Sequence, residues 1–426
     1  MLACRERRAF IQRDLIARHG LPVACFTMNI PGEVKRTPLI EFAFREGIRR
    51  FEAKLPAPLE RMVSCEFTGC EAFFVFDLDA CAIKKAAVET EESAAVARLY
   101  DIDVIDVTGE KLSRGEERRC IVCGAPVTAC ARSRAHGLDV LYERTDALLC
   151  AFAAKKLASL ACDALIAEVN ATPKPGLVDR NNSGAHKDMD IQSFYASAEA
   201  IRPYFERMAA IALASPDASA RELMGKLREE GIIAERAMLE ATCGANAHKG
   251  AIFSMGLLLA GAGIYLKTER PALDEVMRLA SFDMESALAQ AAAAPVTNGE
   301  RAFVKTGALG ARGEAAQGFP TAREALAALE GFMKRGYHSE DAAALTLPVV
   351  MEKLGDTNLI HRGGEDGLAF AQKGAARINA LPVEERFDAL REMDDAFIEK
   401  NLSPGGCADV LSLALLMLRL SDDIEL

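Results

Sequence analysis

No apolar run in this 426-residue sequence approaches the length needed to cross a bilayer; the longest, 410–420, is about as long as a core helix. The first residues, MLACRERRAFIQRD, are charged and amphipathic and lack the apolar centre of a secretory signal. Basic excess is missing too: 51 Lys and Arg stand against 62 Asp and Glu, for a formal charge of −11. That balance disfavours nonspecific nucleic-acid binding, because neutralising a phosphate backbone requires a basic face. There is no Walker A loop, and no G-x-G-x-x-G follows a strand-like run, so any nucleotide is bound outside the common nucleotide folds. The expectation is a cytoplasmic protein with no membrane or nucleic-acid partner. A polyanionic small molecule stays possible, since it needs only a few cations in one cleft.

What is present fits a globular chain: 50% of residues are apolar and the mean hydropathy is close to zero. The length predicts two domains. Twelve cysteines are scattered over both halves, several inside apolar stretches (Cys25, Cys150, Cys162), which predicts reduced, mostly buried thiols.

The texture changes near residue 145. Before it, β-rich runs at 22–30, 72–78 and 101–107 alternate with helical segments and end at turn signals such as Pro31-Gly32, predicting an N-terminal α/β (or α+β) domain over 1–145. After it, alanine and leucine recur at helical spacing over 147–170, 191–214, 218–243, 252–266, 273–294, 322–335, 342–354 and 410–420. This predicts an all-α helical domain over 146–426. No repeat or low-complexity linker separates the two.

Five polar, glycine-rich clusters punctuate the helical half. The first, 172–190, has two prolines that fix an extended entry, then Lys174, Arg180, His186 and Lys187 interleaved with Asp179, Asp188 and Asp190. Cations and carboxylates mixed this way suit a metal–polyphosphate site, with Mg²⁺ on carboxylate oxygens and lysines on phosphate. The bland alternative is a solvated loop in which Asp188 or Asp190 caps the next helix. The second cluster, Asn246 to Gly250 with His248 and Lys249, opens a helix and offers an anion the free amides of a helix start. The third, 310–320, sets glycines around Arg312 and Glu314; a surface ion pair in a loop would look the same. The fourth runs from Asp356 through Arg362 to Gly364. The fifth, 401–409, reads as Ser403 capping a helix that begins at Pro404, with Gly405 and Gly406 leaving amides bare and Asp409 one turn on.

In this order the five clusters resemble the triphosphoribosyl-dephospho-CoA synthase family. That resemblance covers roughly 146–426. It implies an all-α enzyme joining the ribose of ATP to the 2′-hydroxyl of 3′-dephospho-CoA with loss of adenine, the triphosphate staying on the ribose. Displacement at an anomeric carbon needs a nearby carboxylate and a base for the attacking hydroxyl. Asp188, Asp190, His186 and Asp409 are the catalytic candidates, the first two also as Mg²⁺ ligands. Lys174, Arg180, Lys187, Asn246, His248, Lys249, Arg312, Glu314, Asp356 and Arg362 are the substrate-binding candidates.

The N-terminal half has three features. Residues 29–38 place Lys35 and Arg36 in a Pro/Gly turn after a strand. Asp101 and Asp103 alternate on a strand, so both face one side, as in a Mg²⁺ pair for nucleotidyl transfer; a lone D-x-D is also common by chance. The segment 118–136 carries Cys120, Cys123, Cys130 and His136 among Arg118, Arg119, Arg132 and Arg134. A Cys₃His zinc knuckle is formally available. A helical reading of 129–133 and the four arginines weigh against zinc and toward contacts with phosphate or a carrier protein.

Together these features are similar to the citrate lyase holo-acyl-carrier-protein synthase family over roughly 1–145. That resemblance implies transfer of the phosphoribosyl-dephospho-CoA group to a serine of the apo acyl carrier protein of citrate lyase, releasing diphosphate. The stretch reading Ser93-Ala-Ala-Val-Ala-Arg98 departs from the family pattern. The two implied reactions are consecutive. Competing readings are the equivalent maturation of malonate decarboxylase, a non-catalytic helical scaffold with a zinc module, and an ordinary kinase, which would yield ADP rather than adenine.

Overall fold

A computed structural model describes residues 2–291 and 310–426; the end of the helix expected over 273–294 lies outside them. The chain divides into two compact units, Met1–Ala153 and Ala154–Leu426. The division falls inside one long helix.

The first unit holds a four-stranded antiparallel sheet of order β2-β3-β1-β4, formed by β1 (Val23–Met28), β2 (Glu60–Glu66), β3 (Gly69–Val75) and β4 (Tyr100–Ile105). Three strands coincide with the apolar runs. β2 was not anticipated, because it is an edge strand with mostly exposed residues and therefore no burial period to read. Alternation sends β1 to two cores. Val23 and Cys25 pack with Phe73, Val75 and Leu15 of α1 (Leu2–His19). On the other face Phe26 meets Phe44 and Phe51 of α2 (Pro38–Glu52), with Tyr100 tilted against it. Thr37 caps α2, and Pro38 starts it with a φ already suited to a helix. Then come α3 (Ala80–Glu91), a 3₁₀ turn at Val96–Leu99, the short α4 (Val127–Ser133) and α5 (Leu138–Asn170).

One cysteine expectation is corrected here. Cys65 and Cys70, register partners across β2 and β3, form a disulfide. The pairing brings the two positions face to face, which spacing in the sequence does not reveal.

The second unit is helical: α6 (Ile191–Ala214), α7 (Ala220–Ala241), α8 (Lys249–Thr268), α9 (Ala272–Ala291), α10 (Gly310–Ala316), α11 (Pro320–Lys334), α12 (Ser339–Lys353), α13 (Thr357–Ala380), α14 (Val383–Glu399) and α15 (Gly405–Leu420). α8 is its centre, packed by α6, α7, α9, α10 and α15. By length and apolar composition α8 is long enough to cross a membrane, contrary to the sequence expectation; most of it is buried inside this unit, as in a core helix. Two clusters read as loops are helix: 310–316 is α10, and Asp356 caps α13, so that 357–364 forms the start of that helix. The fifth cluster shifts by one residue, with Pro404 rather than Ser403 at the cap of α15.

Candidate active sites

In the helical unit the 172–190 loop is tied down at both ends. Val178 and Met189 sit in a small apolar cluster with Val169 and Ala245. Asp179 is buried and acts as a staple: its carboxylate accepts the Lys174 amide at 3.0 Å and the Asn181 and Asn182 amides at 2.7 and 3.2 Å. From α14, Asp394 accepts the Gly176 amide and the Asn182 side-chain amide, both at 2.8 Å. Gly176 has φ +69°, and a Cβ there would lie 2.3 Å from the carbonyl oxygen of Leu402. Only glycine lets the loop approach that strand of backbone.

Lys174 is 1% exposed and pairs with Glu168 on α5 at 2.5 Å. Burial pushes the Glu168 carboxyl up, while Lys174 pulls it down. Asp356 is buried with both oxygens engaged: one accepts the Asn358 and Leu359 amides that start α13, the other the Cys407 amide in α15 at 2.9 Å. That last bond uses an amide that the sequence reading left bare for phosphate. Asp409 lies against the start of α8, so close that a Cβ on Gly250 would fall 2.0 Å from its Oδ2. Burial, then the Asp356 and Glu168 carboxylates, hold its carboxyl well above the usual range.

His248 precedes α8 and is 3% exposed. Its Nδ1 meets Ser197 Oγ at 2.6 Å, and its Nε2 is buried without a hydrogen-bond partner among the described residues. Burial, with the Lys174 charge, pushes it down to about 3, so the ring is neutral at pH 7. Burial and Arg362 likewise lower the His186 pKa and favour its neutral form. Arg362 Nη2 can only donate, 3.3 Å from His186 Nδ1, which leaves Nε2–H to donate to Ser403 Oγ at 2.8 Å.

Four of the five clusters therefore meet through Lys174, His248, Asp356 and Asp409, with His186 and Arg362 joined at the 172–190 loop. Other candidates lie apart or are engaged elsewhere. Asp190 is the N-cap of α6 in a capping box with Ser193, and that bonding lowers its pKa. Asp188 is exposed, 3.8 Å from His186 Nδ1, and Lys187 is exposed beside it. Arg180 pairs with Glu340, and Lys249 with Glu235. Asn246 is exposed and accepts the Lys249 amide. Arg312 is 3.0 Å from Asp283 on α9, and Glu314 accepts Thr321 at the start of α11. Sequence reasoning missed Glu168 and Asp394. Each lies in an ordinary helical stretch, and the only available signal was a carboxylate among apolar neighbours in α5.

In the first unit a cavity of about 900 Å³ is lined by Asn29, Glu91, Arg98, Arg114, Arg118 and Arg119 among others. Glu91, buried on α3 and also missed from sequence, organises its wall. It accepts the Ile102 amide at 2.8 Å and pairs with Arg114 and Arg118. Arg118 also donates to the Tyr100 carbonyl at 2.9 Å and lies 3.1 Å from Asp101. Asp103 pairs with Lys111 at 2.6 Å, so each member of the D-x-D already has a cation. Lys35 turns back onto the Ile30 carbonyl, and burial lowers its pKa. Arg132 and Arg134 are exposed and do not line the cavity.

The helical unit thus holds a buried lysine–carboxylate–histidine centre, and the sheet unit an arginine-walled cavity. Residues 154–425 match the ATP:dephospho-CoA triphosphoribosyl transferase family, and residues 1–152 match the apo-citrate lyase phosphoribosyl-dephospho-CoA transferase family. The chain belongs to these families as a fusion of the two. It is 33% identical to Protein CitXG of Haemophilus influenzae over 98% of this chain and 95% of that one, and 30% identical to Protein CitXG of Leuconostoc mesenteroides subsp. cremoris over the same shares. Its similarity to the 2-(5''-triphosphoribosyl)-3'-dephosphocoenzyme-A synthase of Pectobacterium atrosepticum, 43% identical, spans 60% of this chain and 85% of that one. The chain is a transferase acting on ATP and dephospho-CoA and on apo-citrate lyase.

Proposed function

We propose that the two activities divide between residues 1–153 and 154–426, and that the helical unit performs the first reaction at the centre formed by Lys174, Glu168, His248, Asp356 and Asp409. The 2′-hydroxyl of 3′-dephospho-CoA attacks the anomeric carbon of the ATP ribose, the N-glycosidic bond breaks, and adenine leaves with a proton. The observation that carries this reading is the charge count at that centre. Three carboxylates share it with one lysine, and a buried imidazole nitrogen has no partner among the described residues.

This donor set fits a divalent cation: hard carboxylate oxygens in excess of protein cations are what Mg²⁺ prefers. Glu168 would hold it through the oxygen not paired with Lys174, because Asp356 has committed both oxygens to backbone amides and Asp409 is kept for proton transfer. The ion would neutralise the triphosphate. Asp409, with its raised pKa, is the base for the attacking hydroxyl, and His248 Nε2 is a hydrogen-bonding group for the nucleotide. Asp188 stands beside His186 at the exposed edge of the loop as a second acidic candidate.

The sheet unit then takes the triphosphoribosyl product in its arginine-lined cavity. A serine hydroxyl of the apo carrier protein attacks the phosphate bonded to the ribose, forming the phosphodiester and releasing diphosphate. Arg118 and Arg119 bind the phosphates and orient the chain. The reactions take place in the cytoplasm.

Incubation with ATP, Mg²⁺ and 3′-dephospho-CoA, followed by chromatography, tests the first step. Adenine is the expected product; ADP, or no product, overturns it. Asp188→Asn should lower adenine release, and near-normal release removes Asp188 from the reaction. Addition of apo carrier protein and intact-mass spectrometry tests the second step.

A further inference from the structure

Neither reaction uses the sulfur cluster of the first unit. Cys120, Cys123, Cys130 and His136 each bring one ligand atom, and the four atoms all lie within 4.8 Å of one another. Cys123 Sγ is 3.4 Å from Cys130 Sγ and 3.3 Å from His136 Nε2. A tetrahedral zinc ion with Zn–S of about 2.3 Å and Zn–N of about 2.0 Å sets its ligand atoms roughly 3.5–3.8 Å apart. The cluster brackets that edge length. Four protein donors also leave no open position, the arrangement of a structural rather than a catalytic site.

The backbone is folded to present these atoms. The Cys120 amide donates to the Ala125 carbonyl at 2.7 Å, and the Gly124 amide returns to the Cys120 carbonyl at 3.0 Å, closing a tight turn with Gly124 at φ +74°. Inside it the Val122 amide points at Cys120 Sγ, 3.4 Å away. α4 then carries Cys130 into the group, and Arg134 in the left-handed conformation ends the helix so that His136 can turn back. The helix over 129–133, which counted against zinc in the sequence, is the element that delivers the third sulfur. Three thiols and one imidazole select zinc over Mg²⁺ or Ca²⁺ by softness.

We propose that Cys120, Cys123, Cys130 and His136 bind one structural zinc ion. The three thiols ligate as thiolates and give up their protons to solvent on binding. Cys120, Cys130 and His136 also line the arginine cavity, so the ion pins the wall that carries Arg118 and Arg119. This site stands independently of either transferase reading, because metal content is measured without turnover.

The test uses the full-length chain free of any histidine tag, purified under reducing conditions, with zinc measured by plasma mass spectrometry. One zinc per chain is expected. Cys123→Ser and Cys130→Ser should each lower bound zinc at least tenfold, while Cys81→Ser and Cys243→Ser, at exposed cysteines elsewhere, keep it. Should the ligand variants misfold, the wild-type protein still decides the question. An organomercurial should release its zinc to a colorimetric chelator in step with the loss of three thiols, and cobalt-loaded protein should show thiolate-to-cobalt charge-transfer and tetrahedral ligand-field bands. Zinc below a tenth of an equivalent in protein from zinc-supplemented cells, zinc retained in both ligand variants, or a Cys123–Cys130 disulfide in the reduced preparation overturns the proposal.

Discussion

The carboxylates of the two units are handled in opposite ways. In the sheet unit three acidic side chains are each answered by a cation: Glu91 by Arg114 and Arg118, Asp101 by Arg118, Asp103 by Lys111. In the helical unit Glu168, Asp356 and Asp409 sense one another, with Lys174 as the buried partner of the first. A site whose acids are already neutralised presents its remaining arginines to an anion. A site with surplus buried acid favours a ligand that brings cations with it. The first suits a phosphorylated donor and an acidic carrier protein, the second a metal-bound nucleotide.

The largest expected effect tests the surplus acid. Asp409→Asn keeps the shape of the side chain and removes the negative charge and the base, so adenine release should fall about 10³-fold, or about 4 kcal/mol of barrier. Thermal unfolding should change little, since the neutral amide relieves repulsion from Asp356 and Glu168. A fall below tenfold would remove Asp409 from the proton transfer. The role fixes a sign: a base must be deprotonated, so adenine release should rise with pH.

Next in size is a loss of stability confined to one unit. Lys174→Met leaves Glu168 buried without its partner, a change that costs about 3–5 kcal/mol. Arg118→Met removes a largely buried cation from a buried carboxylate that keeps Arg114 as a partner, so its stability cost should be clearly smaller than that of Lys174→Met. Scanning calorimetry of both variants measures the contrast. Equal shifts would break it.

Arg118→Met should instead be seen in attachment, lowering carrier modification by about one to two orders of magnitude while leaving adenine release intact. Raising salt should mimic this selectively: encounter of an acidic carrier with exposed arginines is screened, whereas chemistry among buried groups is not. Mass spectrometry of the carrier alongside chromatography of adenine, across one salt series, reads both.

Legibility in the sequence followed the same divide. The clusters at 172–190, 246–250, 356–364 and 401–409 were visible because glycine, proline and charge interrupt good helices, and the fold brings them together. Their roles were less visible. Asp356 and the glycines near it serve packing and capping rather than open amides, and 310–320, equally conspicuous, places Arg312 on Asp283 instead. Glu168 and Glu91 were missed because a single acid in a helix looks solvated until the helix is seen buried. The three apolar strands were read from their composition. β2 and the Cys65–Cys70 pairing depend on register, which a single strand does not carry.

The last effect is the most specific to the helical centre. His248 is neutral when folded, pushed from its ordinary 6.5 down to about 3, because burial and Lys174 both oppose its charge. An unfolded chain takes up that proton near 6.5, so between about 3 and 6.5 the unfolded state holds more protons. The stability tied to the neutral ring is complete above 6.5 and is lost as pH falls toward 3, with a slope of up to about 1.4 kcal/mol per pH unit. His248→Gln has no such proton to take up. Its stability should therefore fall less steeply than wild type over that window, with Asn amide-like bonding to Ser197 still available to the glutamine. Parallel pH profiles for the two proteins would show that the folded ring takes up its proton as readily as the unfolded one, and would remove this stability from His248.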